Sequence, residues 1–247
     1  MDSTNQRPRD ALRPVSFALH YTRWAEGSVL CKFGQTHVLC NVTIEADLPR
    51  WLKEREQPHG WLTAEYQMLP RSTHRRRTEG LCPGGRVQEI SRLIGRSLRM
   101  ALDLHKLGER QLIVDCTVLQ ADGGTRTAAI TGSWVAVALA LQPLIAAGAV
   151  PAEVMRHQIA AISVGLVAGA PTLDLDYEAD SQADVDLNVV MTADGDLVEV
   201  QGTGERNPFS RAALGHLLDL AAGGVEQLVA QQRAALNGAP TAGAQPQ

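Results

Sequence analysis

The period of apolar and polar positions changes several times along the chain, and each change marks an expected element. Residues 15–21, 27–33 and 36–45 read as strands, and Gly34-Gln35 between the last two reads as a hairpin turn, so the chain opens antiparallel. From Arg86 to Gly108 the apolar residues Val87, Ile90, Leu93, Ile94, Leu98 and Ala101 follow a helical period, which leaves Arg92, Arg96 and Arg99 largely on other faces. A β-rich run at 112–119 leads into an apolar helix over 128–142. Beyond the break at Gly148-Ala149-Val150-Pro151, residues 159–167, 171–177 and 184–192 read as strands. Asp194-Gly195 turns the chain into another at 197–201. A long helix is expected over 210–236, with Gly223-Gly224 as its weak point. Strands, helices, strands and a helix in that order predict an α+β protein of two sheet-and-helix lobes in one compact chain. The lobes are expected at 14–148 and 149–236. A polar extension precedes them at 1–13, and an Ala-, Gly-, Pro- and Gln-rich tail at 237–247 is expected to be disordered.

The most informative junction is Leu119 to Gly132, where a strand passes through Asp122-Gly123-Gly124-Thr125-Arg126 into a helix. Two glycines let a backbone approach a ligand closely, and a helix start presents free N–H groups that favour an anion. Thr127 is the expected N-cap, and Arg126 adds a forked donor. A plain tight connection with Arg126 on the surface is the competing reading. Against it stands a second such turn, Pro83-Gly84-Gly85-Arg86, so that Arg86 and Arg126 are expected to grip one phosphate from two sides. No Gly-Lys-Ser/Thr follows either glycine pair, which argues against a P-loop hydrolase.

Composition narrows the class. The 247 residues are 45% hydrophobic, 20% charged and only 4% aromatic, which indicates a globular chain with an aliphatic core. Cys31, Cys40, Cys82 and Cys116 form no Cys-x-x-Cys pair and read as buried free thiols of a reducing compartment rather than a zinc site. The start of the chain lacks an apolar core and does not read as a secretory signal, and the run from Trp134 to Ala147 is too short to span a bilayer.

Two charge clusters stand out. Asp174, Asp176, Glu178, Asp180, Asp184 and Asp186 fall within thirteen residues and need a counter-charge; oxygen ligands of this kind suit magnesium or manganese, though a solvated acidic loop is the plainer reading. Net charge is −4, yet Arg71, His74, Arg75, Arg76 and Arg77, with Arg92, Arg96 and Arg99 on a helix, make a basic patch able to attract the phosphates of a polyanion.

Leu69-Pro70-Arg71-Ser72-Thr73-His74, the helix from Gly85 to Arg96, and the segments Gln120 to Gly132, Asp180 to Met191 and Val198 to Thr203 together resemble bacterial ribonuclease PH, in order and over nearly the whole chain. The loop between His74 and Gly84 departs from that family in being short and in lacking its Gly-Lys pair. The resemblance implies the ribonuclease PH fold and a phosphate-dependent 3′-to-5′ exoribonuclease. Such an enzyme trims transfer RNA precursors, releases nucleoside diphosphates and runs in reverse to add nucleotides. It further implies that Asp180 and Asp186 are the catalytic pair that holds Mg2+ or Mn2+. Asp184 is ranked below them on a separate ground, the expectation that in a strand it points to the opposite face from Asp186. Arg86, Gly124, Thr125 and Arg126 are expected to bind inorganic phosphate. A cytoplasmic homo-hexamer built as a trimer of dimers, with no membrane partner, completes the implication. A catalytically silent ring subunit is the rival reading; the presence of both arginines and both aspartates favours the enzyme.

Overall fold

Two antiparallel-rich sheets enclose a long apolar helix. The structure, a computed structural model, describes residues 7–76 and 84–238; Arg77, Cys82 and the tail beyond Gly238 lie outside the described residues. The elements in chain order are β1 (Val15–Leu19), β2 (Gly27–Phe33), β3 (Thr36–Glu45), α1 (Arg50–Lys53), β4 (Trp61–Met68), α2 (Gly85–Ala101), β5 (Gln111–Gln120) and α3 (Thr125–Ala146). A 3-10 turn (Ala152–Val154) then leads to β6 (Ile159–Val167), β7 (Ala170–Leu173), α4 (Tyr177–Gln182), β8 (Ala183–Thr192), β9 (Leu197–Gly204) and α5 (Arg211–Asn237).

The first sheet has the order β1-β2-β3-β5-β4, antiparallel except that β4 runs parallel to β5 and reaches it through α2. The second, β7-β6-β8-β9, is wholly antiparallel. α3 packs against strands of both sheets, and Ala128 to Val137 of it are buried without interruption. It is long and apolar enough to cross a membrane, but most of it is buried inside this fold. α5 covers β6 and β7, with Leu217, Ala221, Val225 and Leu228 inward.

Several boundaries differ from the sequence reading. β4 is not among the expected strands, although Leu62, Ala64 and Tyr66 are buried in alternation with Thr63, Glu65 and Gln67. α2 stops at Ala101 instead of running to Gly108, because Leu102 is extended and the Asp103 carbonyl and carboxylate organise a turn through Lys106 and Leu107. α3 passes through Pro143 to Ala146, and only β7's Ala170–Leu173 forms where the sequence predicts a strand over 171–177. α5 is unbroken at Gly223-Gly224, where the Leu173 side chain would lie 2.8 Å from a Cβ at Gly224. Cys31, Cys40 and Cys116 are buried free thiols, as expected.

Candidate active site

The α3 end of the site is a turn built on two left-handed glycines. After β5 the backbone enters the left-handed region at Gly123 (φ +72°) and Gly124 (φ +63°), and a Cβ at Gly123 would sit 2.5 Å from the Leu175 carbonyl oxygen. Gly124 is the N-cap of α3, so the helix begins at Thr125. Thr127, expected as the cap, is instead buried in the first turn, its Oγ1 donating to the Gly124 carbonyl at 2.9 Å. The turn is clamped from three sides. Thr36 Oγ1 donates to the Gly123 carbonyl at 2.6 Å and accepts from Asp122 N at 2.9 Å; Arg13 donates to the Asp122 carbonyl; Thr125 Oγ1 meets the Tyr66 hydroxyl at 2.8 Å. The N–H groups of the first turn of α3 therefore point into a fixed cradle suited to an anion.

Arg126, in that first turn, is largely covered and held across the lobes. Its Nη1 donates to Gln201 Oε1 of β9 at 3.1 Å and stands 3.6 Å from Glu89 Oε1 of α2. Arg86, at the start of α2, is exposed. Asp180 comes from α4 and Asp186 from β8, so the two carboxylates reach the site from adjoining elements. Arg86, Gly124, Thr125, Arg126, Asp180 and Asp186 all line one cavity of about 550 Å³.

The electrostatics of the carboxylates differ by position. Desolvation pushes Asp186 up to about 6, with the Asp180 charge adding to the rise and Arg126 offsetting it. Asp180 is also raised by desolvation, against the pull of Arg86 and Arg126. Two desolvated carboxylates, one of them further opposed by its neighbour's charge, are a donor set a divalent cation relieves, and magnesium characteristically takes one or two carboxylates plus substrate phosphate oxygens. Among the described residues no group of three or more His, Cys, Asp or Glu surrounds a common point, so a metal here relies on oxygens beyond this pair.

The rest of the acidic cluster does other work. Asp174 is fully buried and ion-paired: Arg13 Nη2 and Nε reach its carboxylate at 2.7 and 3.0 Å, and Arg7 Nη1 at 3.3 Å. Asp176 caps α4 by accepting from Ala179 N at 2.9 Å. Asp184 does not point away from Asp186: two residues apart on β8, both alternate with the buried Ala183, Val185 and Leu187 and share a face, with Asp184 3.9 Å from Arg206.

The basic residues divide into two groups. His74 and Arg75 line a second cavity, of about 710 Å³, that shares Thr73, Ala121, Gly123 and Tyr177 with the first. Arg71 and Arg76 are exposed in the same segment, and Arg71 Nη1 donates to the His74 carbonyl at 3.1 Å. The helix arginines are not brought to this cavity. Arg92 and Arg99 line a separate groove between β4 and α2; Arg99 also stacks 4.8 Å over the Trp61 ring and donates to the Leu62 carbonyl at 3.0 Å. Arg96 pairs with Glu199 of β9.

Sequence reasoning misses Tyr66, Tyr177, Asn188, Glu205 and Gln201. Tyr66 has a signal in the alternation of β4 and Asn188 in the period of β8, two residues past Asp186; the others depend on how separate elements meet.

Comparison with known proteins identifies the family. The 3′ exoribonuclease family matches through its domain 1 at residues 11–143 and its domain 2 at residues 157–224. Ribonuclease PH of Synechococcus elongatus is 56% identical over 232 residues, covering 94% of this chain and 96% of that protein. Among solved structures, rice (Oryza sativa) Rrp46 aligns with a TM-score of 0.77 at 18% identity, covering 94% of this chain and 99% of its own. The Archaeoglobus fulgidus exosome with RNA bound to its active site aligns at 0.74 and 22% identity, covering 91% and 90%. These two structural likenesses bear on the fold, whereas the family matches and the cyanobacterial relative carry the identification. The chain belongs to the ribonuclease PH family of 3′ exoribonucleases.

Proposed function

We propose that the cavity between the start of α3 and the Asp180–Asp186 pair catalyses phosphorolysis at the 3′ end of RNA. The chain is a phosphorolytic 3′-to-5′ exoribonuclease of transfer RNA processing. An oxygen of inorganic phosphate bonds to the phosphorus of the last phosphodiester, the bond from that phosphorus to the 3′ oxygen breaks, and a nucleoside diphosphate leaves. The shortened RNA keeps the 3′ oxygen and takes up a proton there.

Inorganic phosphate is already an anionic nucleophile at neutral pH, so the difficulty is to hold two like-charged groups in line. The α3 N-terminus, Thr125, Arg126 and Arg86 position the attacking phosphate and offset its charge. A magnesium or manganese ion, held by Asp180 and Asp186, would neutralise charge on the scissile phosphate and the leaving oxygen. The cavity that holds His74 and Arg75 abuts the first, which supports a path for the nucleotides behind the 3′ end. Arg71 and Arg76 extend that path; Arg77 lies outside the described residues, and Arg92, Arg96 and Arg99 are left out because their cavity and partners lie elsewhere. Because a phosphodiester is exchanged for a phosphoanhydride of comparable energy, the reaction also runs backwards when nucleoside diphosphate is plentiful. The homo-hexamer, a trimer of dimers, and a cytoplasmic setting rest on family membership alone.

The observation that carries this reading is the convergence of Gly124, Thr125, Arg126 and Arg86 with Asp180 and Asp186 on one cavity. Arg126→Ala tests it. Phosphate-dependent turnover is expected to fall about 10²–10³-fold while the affinity for RNA measured without phosphate stays unchanged. An equal loss of RNA affinity would contradict the role of Arg126 as a phosphate ligand.

A further inference from the structure

Arg126 is aimed by residues that never face the phosphate cradle. Gln201 sits on β9, 75 residues further along the chain, and its Oε1 accepts from Arg126 Nη1 at 3.1 Å. Its Nε2 faces two carboxylates, Glu89 Oε1 and Glu199 Oε1, each at 3.3 Å. This surrounding fixes which way the amide points: two acceptors on one side and a guanidinium on the other leave only the orientation with N toward the acids and O toward the arginine. Glu199 is in turn fixed by Arg96 of α2, whose Nε donates to Oε2 at 2.9 Å and whose Nη2 donates to Oε1. The chain of contacts thus runs from Arg96 through Glu199 and Gln201 to Arg126, tying α2 and β9 to the first turn of α3.

We propose that Gln201 is the positioning residue that sets the phosphate affinity of this enzyme, by orienting Arg126 through a network anchored on Glu199 and Arg96. The inference rests on the reading of Arg126 as a phosphate ligand. A flexible arginine must lose rotamer freedom when it binds an anion, and a neutral acceptor on Nη1 removes part of that loss beforehand without adding a charge that competes with phosphate. A carboxylate in the same place would hold the arginine but also repel the ligand. Glu89, 3.6 Å from the same Nη1 and 45% exposed, stands where it offsets the arginine's charge without a close bond. The groups facing Arg126 from the elements around it are therefore one neutral amide and one loosely placed acid, with Asp180 and Asp186 across the cavity.

The test compares steady-state phosphorolysis by Gln201→Leu, Gln201→Glu and Arg126→Lys in the full-length protein, with inorganic phosphate varied. Gln201→Leu is expected to raise the KM for phosphate about tenfold while kcat and the melting temperature change little. Gln201→Glu is expected to raise that KM as well, since it restores an acceptor but sets a third carboxylate beside Glu89 and Glu199. In the double variant Gln201→Leu with Arg126→Lys, the two effects on phosphate KM are expected to fall short of additive. Full additivity, or a Gln201→Leu variant with a lower melting temperature and unaltered phosphate KM, would overturn the proposal and leave a structural role. If Arg126→Lys itself leaves the phosphate KM unchanged, the underlying reading of Arg126 fails instead.

Discussion

Two arginine-bearing regions flank the same cavity and are built in opposite ways. Around the start of α3, Arg126 is held by Gln201, and Arg13 by the buried Asp174 and the Asp122 carbonyl, while paired left-handed glycines fix the backbone between them. In the segment from Arg71 to Arg76 the arginines are exposed, and the bonds of Arg71 and Thr73 go to carbonyls of the same short stretch. A preorganised cradle holds a bound anion with donors that need no rearrangement as charge shifts. An exposed basic segment acts on encounter and on the salt dependence of binding. On the proposed reading, chemistry and capture fall to different arginines.

The comparison breaks most sharply at Asp186. Asp186→Asn is expected to lower phosphorolysis about 10²–10³-fold, yet to stabilise the metal-free protein at neutral pH. Its folded pKa of about 6 lies above the ordinary 3.8, so the protonated carboxyl is preferred in the fold. Stability is therefore fully kept below about pH 4 and is lost as pH rises through the folded value. Melting in the presence of a chelator checks this: Asp186→Asn should gain about 1–3 kcal/mol at pH 7–8 and nothing at pH 4. A variant no more stable at pH 8 than at pH 4 would mean that the carboxylate is not opposed by its surroundings.

Next in size is the clamp under the cradle. Asp174→Asn leaves Arg13, only 4% exposed, with no counter-charge closer than the Asp122 carboxylate at 4.0 Å, and should cost about 3–5 kcal/mol in urea unfolding. Asp174 also holds φ at +52°, a conformation an asparagine tolerates, so the loss reports on charge and not on backbone strain. The smallest effect is expected in the exposed segment. Arg75→Ala with Arg76→Ala should leave stability within about 0.5 kcal/mol and saturated kcat unchanged. RNA affinity should drop several-fold, and the slope against log salt should flatten by about one for each RNA phosphate that is no longer neutralised. A destabilisation like that at Asp174 would erase the distinction between the two regions.

What can be read from the chain tracks how local each cause is. The β2–β3 hairpin follows from Gly34-Gln35, and the cradle follows from Gly123 to Arg126, because each depends on neighbours in sequence. Asp174 falls in with the metal pair by sequence because its partner Arg13 lies 161 residues away, and nothing near Asp174 announces it. The same holds for Gln201 and Arg126. Thr127 reads as a cap because threonine favours that role, whereas the left-handed backbone at Gly124 starts the helix three residues earlier. The placement of Asp184 on the opposite face is an error the strand period itself corrects, since residues two apart share a face. Arg96 and Arg99 look like an RNA-binding face because a helical period shows only that they avoid the core; Glu199 and Trp61 are what they meet.

The central claim is that the cradle presents phosphate as the nucleophile. It is tested most directly by incubating the protein and magnesium with a transfer RNA extended at its 3′ end, with and without inorganic phosphate, and identifying the mononucleotide released. Nucleoside diphosphate formed only when phosphate is present is the predicted result. Nucleoside monophosphate released without phosphate would mean that water is the nucleophile and would contradict the account.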